Sequence, residues 1–387
     1  MMRLWGLFLV FLLVVVVFLP VLSFLCFMDV NVGVDEFYFG VTSDGRCAED
    51  VLPLIDKVKG YTNLFVVNSW DIASNQTALD MVCDYVVDSG LCFIVFFDLI
   101  SRTMHAWHQQ WVVDAGQRWG DKFLGIYLHD EPGEKQVDKH RFFSNATDYA
   151  DAADRFIYGV QYGSNGTATS MMYAKDNGIP LFTADQMLHW WVYLAGYDVV
   201  FTELGWNTTA GRQIALGRGA ATVQGKDWGT IITWESDTPP YLGSDEQLYH
   251  YMIDSYRAGA KYVLVFNYPI YPEGNPYGIL SERQFEVMRY FWQYIQSYPR
   301  SLYGTVNADT VLVLPQNYGW GMRRTDYISM DFIWGIWPED EKAPQILSNV
   351  QWLETHSGLQ FDIVYDDPRF DYYSLYPNVV YWNATLS

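Results

Sequence analysis

Cationic side chains are scarce in this chain. Lys and Arg number 24 against 45 Asp and Glu, which leaves a formal net charge of −21 and a pI near 4.5. A surface of that sign repels phosphate backbones, so nucleic acid is not an expected partner. Acidity of this kind means a soluble exterior and does not by itself identify a substrate. Cysteine is sparse as well. Of the four, Cys26 sits in an apolar run, and Cys47, Cys83 and Cys92 remain, an odd number that allows one disulfide and a spare thiol but fixes no pairing. The His, Cys and Asp residues show no metal-ligand spacing, and neither metal nor cofactor is expected. No nucleophile elbow and no Gly-rich phosphate loop before a helix is present, which disfavours Ser-His-Asp hydrolysis and nucleotide binding.

Apolar and aromatic residues are abundant. Half of the 387 residues are hydrophobic and 18% are aromatic, with 16 Trp and 29 Tyr. The length fits one large domain with a smaller one. Aromatic side chains pack strands against helices, and they also stack on the flat C–H face of a pyranose; composition leaves both uses open.

Residues Leu4 to Met28, 25 in all, carry no charge. That exceeds the roughly 7–15 residues of a signal-peptide core and suffices for a transmembrane helix. Arg3 precedes the run while Asp29, Asp35 and Glu36 follow it, which orients the N-terminus inside and the bulk outside. No Ala-x-Ala site is visible, and Leu25 is too large just before Cys26 for a lipoprotein cleavage box. An uncleaved anchor over residues 1–30 is expected, with secretion after cleavage the alternative. Five Asn-x-Ser/Thr sequons, at Asn75, Asn145, Asn165, Asn207 and Asn383, suit a cell-surface location.

Beyond the anchor, short apolar runs alternate with helical patterns. Strands are expected at Phe37–Val41, Asn63–Val67, Leu91–Phe97, Phe123–Glu131, Pro180–Ala184, Asp198–Thr202, Gly229–Trp234 and Lys261–Phe266. Helices are expected between them, with a surface insertion after the fourth strand and a closing helix over Ser281–Tyr298. Runs that are apolar throughout, rather than alternating, imply burial on both faces. Eight such units over residues 36–300 have the size and order of a (β/α)8 TIM barrel. From residue 301 to 387 the pattern restarts, with strands at Asp309–Pro315, Gln360–Tyr365 and Asn378–Trp382 and a helix over Ala343–His356. This reads as a small α/β, flavodoxin-like layer. One clear helix is little for an open doubly wound sheet, so the layer either leans on the barrel or is incomplete. The aromatic, Gly-rich stretches Asn317–Arg324 and Trp334–Trp337 are either a domain-packing loop or a lip over the barrel mouth.

In such a barrel the strands' C-terminal ends carry the site. The stretch Phe123-Leu-Gly-Ile-Tyr-Leu-His-Asp-Glu-Pro-Gly133 runs apolar into His129, Asp130 and Glu131 before Pro132 and Gly133 stop it. The stretch Trp228-Gly-Thr-Ile-Ile-Thr-Trp-Glu-Ser236 delivers Glu235 in the same way. Asn68, Trp70, Asp98, Asp185, Glu203, Trp206, Trp234 and Tyr268 also fall at strand ends and are candidate substrate-binding residues together with Asp130. Cleaving an acetal takes one protonated carboxyl and one carboxylate, about 5 Å apart when configuration is retained. Glu131 is therefore expected as the acid/base, its pKa raised by Asp130, Glu235 and apolar surroundings, and Glu235 as the nucleophile. Bland roles compete: a turn cap for Glu131, a rim ion pair for Glu235, plain packing for the indoles.

Glu131-Pro132 after the fourth strand and Glu235 after the seventh resemble the large clan of retaining (β/α)8 glycoside hydrolases. The trailing layer is similar to that of the beta-galactosidase family with a glutamine-amidotransferase-like second domain. The resemblance implies carbohydrate as the substrate. One departure stands out: that clan usually has Asn before the acid/base, touching the sugar 2-hydroxyl, where this chain has Asp130. An Asp still accepts that hydrogen bond while adding charge. The competing expectation is a barrel that binds glycans, or packs in a surface layer, without turnover.

Overall fold

The computed structural model describes residues 36–97, 105–139, 146–162, 169–206, 208–236, 238–239, 241–271, 274–319 and 342–386. The expected anchor, Asp98, three of the sequons (Asn145, Asn165, Asn207) and most of the aromatic loop lie outside these residues. Among the described residues no helix is long and apolar enough to cross a membrane. Asn75 and Asn383 are both exposed, and no disulfide joins Cys47, Cys83 and Cys92.

Eight parallel strands close on themselves in sequence order: β1 Tyr38–Ser43, β2 Leu64–Val67, β3 Cys92–Phe96, β4 Phe123–Asp130, β5 Leu181–Asp185, β6 Val199–Leu204, β7 Asp227–Ile232 and β8 Tyr262–Val265. Closure is made where Tyr38 pairs with Tyr262 and Val41 with Val265. The TIM-barrel expectation holds, with strand ends shifted by a residue or two. Helices cover the outside: α1 Ala48–Val58, α2 Trp70–Ala73, α3 Gln76–Asp88, α4 His108–Trp119, α5 Pro132–Lys139, α6 Tyr149–Tyr162, α7 Thr169–Asp176, α8 His189–Ala195, α9 Ala210–Gln224, α10 Asp245–Arg257, α11 Glu282–Ser297 and α12 Arg300–Tyr303. The long interval after β4 holds α5, α6 and α7.

Strand parity sorts the core into two layers. Leu64, Val66, Ile94, Tyr127, Phe182, Phe201, Ile231 and Leu264 fill the barrel, while Phe65, Val67, Val200 and Val263 pack outward on the helices. Inside, the rings of Phe182 and Phe201 stack at 5.6 Å and Tyr38 and Tyr262 at 5.1 Å, so the lower barrel is a packed core and not a pore. β4 departs from regularity twice, with register shifts at its start against β3 and again between Tyr127 and His129 against β5. A bulge inserts one residue and resets which side chains face inward.

The C-terminal layer is a three-stranded parallel sheet in the order β10 (Phe361–Tyr365), β9 (Thr310–Leu314), β11 (Asn378–Tyr381), with α13 over Lys342–Ser357. Residues 37–387 form a single compact unit, so this layer leans on the barrel. Helix α9 lies between them and is buried from Arg212 through Ala221. A Cβ at Gly219 would stand 2.5 Å from the Ile363 carbonyl oxygen, which is why β10 approaches so closely only over a glycine. Beside it the Arg218 guanidinium donates to Asp362 at 2.8 Å and to the carbonyls of Leu359 at 2.6 Å and Val306 at 2.9 Å. Tyr376 donates to the other Asp362 oxygen at 2.8 Å.

Removing one member of a buried pair strands the other's charge, at a typical cost of about 3–5 kcal/mol. R218A should therefore lower the unfolding free energy by about that amount in urea titration. An unchanged midpoint would mean that this pair does not hold the two layers together.

Candidate active site

At the C-terminal ends of the strands lies a cavity of about 540 Å³, lined by Asp44, Asn68, Trp70, Phe96, Tyr127, Asp130, Glu131, Glu134, Ala184, Glu203, Trp206, Ile231, Thr233, Trp234, Phe266 and Tyr268. It collects Asp130, Glu131, Glu203, Asn68, Trp70, Trp206, Trp234 and Tyr268 of the expected set. Glu235 and Asp185 are absent from its lining.

Each placement has a local cause. In β6 the parity that turns Val199 and Phe201 inward turns Glu203 inward too. In β4 the bulge near Leu128 allows both Tyr127 and Asp130 to face the cavity, and the Tyr127 hydroxyl donates to Asp130 at 2.7 Å. His129 turns away and is buried beside Tyr197, their ring centroids 6.2 Å apart. Glu131 comes next with φ of 52°, a left-handed conformation that is uncommon outside glycine. Its amide donates to the Ala184 carbonyl at 3.1 Å, and its carbonyl accepts from Lys135 at 3.0 Å to start α5. Trp206 has a φ of 50°, and its amide donates to the Trp234 carbonyl at 2.7 Å. Trp234 in turn packs its ring on Phe266 at 5.5 Å and Tyr268 at 5.6 Å.

Asp185 is fully buried and serves the backbone instead of the cavity. Its carboxylate accepts from Gly133 at 2.6 Å, Met187 at 2.8 Å and Leu188 at 2.9 Å. It thereby caps α5 and fixes the turn that holds Glu131. A Cβ at Gly133 would sit 2.5 Å from that carboxylate, so the turn requires glycine.

Glu235 lies beyond the end of β7, where its amide donates to the Tyr241 carbonyl at 2.7 Å. Its carboxylate accepts from Gln247 at 2.9 Å and Tyr251 at 3.1 Å, both on α10. The carboxylates brought together are those of Glu131, Glu203 and Glu134, with oxygens within 4.8 Å of one another. Glu134 was not expected from the sequence; its signal is the one-turn spacing from Glu131 along α5.

Burial decides the protonation of this group. Glu203 is 2% exposed, and desolvation, followed by the charges of Glu131, Glu134 and Asp130, holds its pKa well above the ordinary carboxyl value. Desolvation and then Asp130 also raise Glu131, while its hydrogen bond with Glu203 and the charge of Lys135 oppose the rise. Burial and neighbouring charges therefore hold both members of the pair above the ordinary carboxyl range, Glu203 further than Glu131. Among the described residues, nothing hydrogen-bonds to the other Glu203 oxygen, Oε2, or to Asn68 Oδ1, both of which are buried.

No family model matches this chain, and no curated protein matches it. Among solved structures it is similar to a polyextremophilic beta-galactosidase from the Antarctic haloarchaeon Halorubrum lacusprofundi, with a TM-score of 0.55 and 10% identity over 89% of this chain and 69% of that one. Two others are the beta-glycosidase BGL167, at a TM-score of 0.41 and 12% identity over 69% of this chain and 98% of that one, and D-psicose 3-epimerase from Clostridium cellulolyticum H10, at 0.38 and 10% over 69% and 99%. At these identities the likeness is one of fold.

A carboxyl whose pKa is raised on folding binds more protons in the native than in the unfolded state. Its contribution to stability thus declines as pH rises above the ordinary value of 4.5. Glu203→Gln removes that penalty, so the variant's Tm should gain on the wild type progressively from about pH 4.5 upward. A difference between the two that is flat with pH would show that Glu203 is not held protonated.

Proposed function

We propose that this chain is a glycoside hydrolase acting on O-glycosidic bonds with retention of configuration. The observation that carries the proposal is the Glu131–Glu203 pair, two buried and mutually hydrogen-bonded carboxyl groups in a cavity lined by three indoles. Glu203 would give its proton to the leaving oxygen as that C–O bond breaks. Glu131 would attack the anomeric carbon to form a glycosyl ester, and ionised Glu203 would then take a proton from the water that cleaves it. Glu131 and Glu203 are hydrogen-bonded to each other, so the pair would open to the about 5–5.5 Å between carboxyl groups of a retaining site as the sugar enters between them. Cavity volume, and a lining without Arg among the described residues, favour turnover over the non-catalytic glycan-binding barrel.

This assignment differs from the pairing of Glu131 with Glu235 that strand position implies, and mutation separates the two. Screened on aryl glycosides and polysaccharides, E131Q and E203Q should each lose about 100- to 10,000-fold in kcat, and E235Q less than about tenfold. Loss in E235Q with full activity in E203Q would restore Glu235 as nucleophile. Unchanged activity in all three would remove the hydrolase reading.

We also propose that the charge-free run from Leu4 to Met28 anchors the chain with its bulk outside the cell. The full chain should then stay in the membrane pellet after alkaline carbonate, and a chain starting at residue 36 should be released. Full-length protein in the carbonate supernatant would overturn the anchor.

A further inference from the structure

Helices around a parallel barrel run from the mouth back to the base, so α11 finishes at the end where the strands begin. Only Tyr298 and Pro299 separate it from α12, and the Arg300 side chain pins α12 there by donating to the Tyr256 and Ala260 carbonyls, each at 2.8 Å. On this fixed segment Tyr298 is 47%, Leu302 79% and Tyr303 65% exposed, an apolar cluster that the barrel leaves uncovered. The rings of Tyr294, Tyr298 and Tyr303 meet in series, with centroids 4.9 and 5.3 Å apart. Tyr294 meets Tyr256 at 6.3 Å, and Tyr256 packs against Phe37 at 4.9 Å, where the chain enters the barrel. Lys226 and Lys261 at the same end are engaged by Asp198 and Asp227 at 3.1 and 2.8 Å, so the cluster's chemistry is that of phenol rings and a leucine.

Position selects the occupant. Eight residues, 29–36, join the charge-free run to Phe37, and a chain of that length reaches at most about 28 Å. β1 alone spans six residues, about 20 Å, so turning the mouth to a bilayer would use up most of that reach. Tyrosine favours the headgroup layer, where its ring meets the acyl boundary and its hydroxyl stays wet, and an exposed leucine beside it gains from the same boundary. We propose that the base of the barrel rests on the bilayer through Tyr298, Leu302 and Tyr303, with the cavity opening away from the membrane. This inference rests on the anchor proposed above and is independent of the hydrolase reading.

The full chain is reconstituted in phosphatidylcholine vesicles and footprinted with hydroxyl radicals. Each residue's oxidation rate is read by mass spectrometry and divided by its rate in the unfolded chain. Tyr158 and Tyr373, 59% and 58% exposed, serve as internal references. Tyr298, Leu302 and Tyr303 should oxidise at least about fivefold more slowly than those references. In L302E, whose charge opposes insertion, Tyr298 and Tyr303 should return to within about twofold of them. Rates equal to the references, in a chain that stays with the vesicles through alkaline carbonate, would overturn the proposal and leave the anchor standing. A chain released by carbonate would overturn both. Protection that rises with the protein-to-lipid ratio would assign the cluster to a second copy of the chain and would also overturn the proposal.

Discussion

A carboxyl group nearly lost to solvent, with a second carboxyl hydrogen-bonded to it, cannot carry full charge on both members. Water's contribution to stabilising the ions is gone, and like charges at that range repel strongly in a poor dielectric. Glu203 and Glu131 are in that position, so both carboxyls are held above their ordinary pKa where the strands end, and retention of a proton there is favoured. Acid chemistry at neutral pH depends on such storage, because an ordinary surface carboxyl has already released its proton. The barrel supplies the necessary burial. The layer of Phe182, Phe201 and Tyr262 closes the floor, and the indoles form the walls.

Holding Glu131 in place has its own cost. A left-handed glutamate is a strained conformer, of order 1–3 kcal/mol, that persists only if its surroundings over-determine it. Three amides converging on the buried Asp185, the glycine that lets that carboxylate approach, and Pro132 at the first position of α5 together do so. An acid at a strand end can thus act on the backbone of a neighbouring strand's loop. Asp185 belongs to the scaffold of the site and Glu131 to its surface.

The architecture was legible in the sequence because it rests on burial. Runs such as Leu64–Val67 and Tyr262–Val265 are apolar on both faces, and only a parallel sheet under helices makes that favourable. The rim was legible as a set of residues and less so as a geometry. Parity along β6 comes from Val199 and Phe201, so the inward turn of Glu203 was available to inspection. Two features were not. A bulge in β4 decides whether Asp130 or His129 meets the cavity, and bulges leave little trace in a single strand's composition. The chain leaves β7 after Ile232, and pairing with Tyr241 swings Glu235 toward Gln247 and Tyr251. Both depend on contacts with distant segments.

The C-terminal layer shows the same dependence at larger scale. A barrel helix ordinarily shows one apolar stripe and one wet face, and α9 shows neither because β10 covers the side that water would have. Arg218, which composition alone would assign to solvent, is instead surrounded by carbonyls and Asp362. Such a fully satisfied polar cluster constrains geometry more tightly than apolar contact does, since each donor admits few alternative partners. The face of the barrel that carries β6 and β7 is therefore clamped from outside. Glu203 stands near the end of β6 and Trp234 just beyond β7, so the helix that the second layer covers also backs the two strands that lead to the cavity.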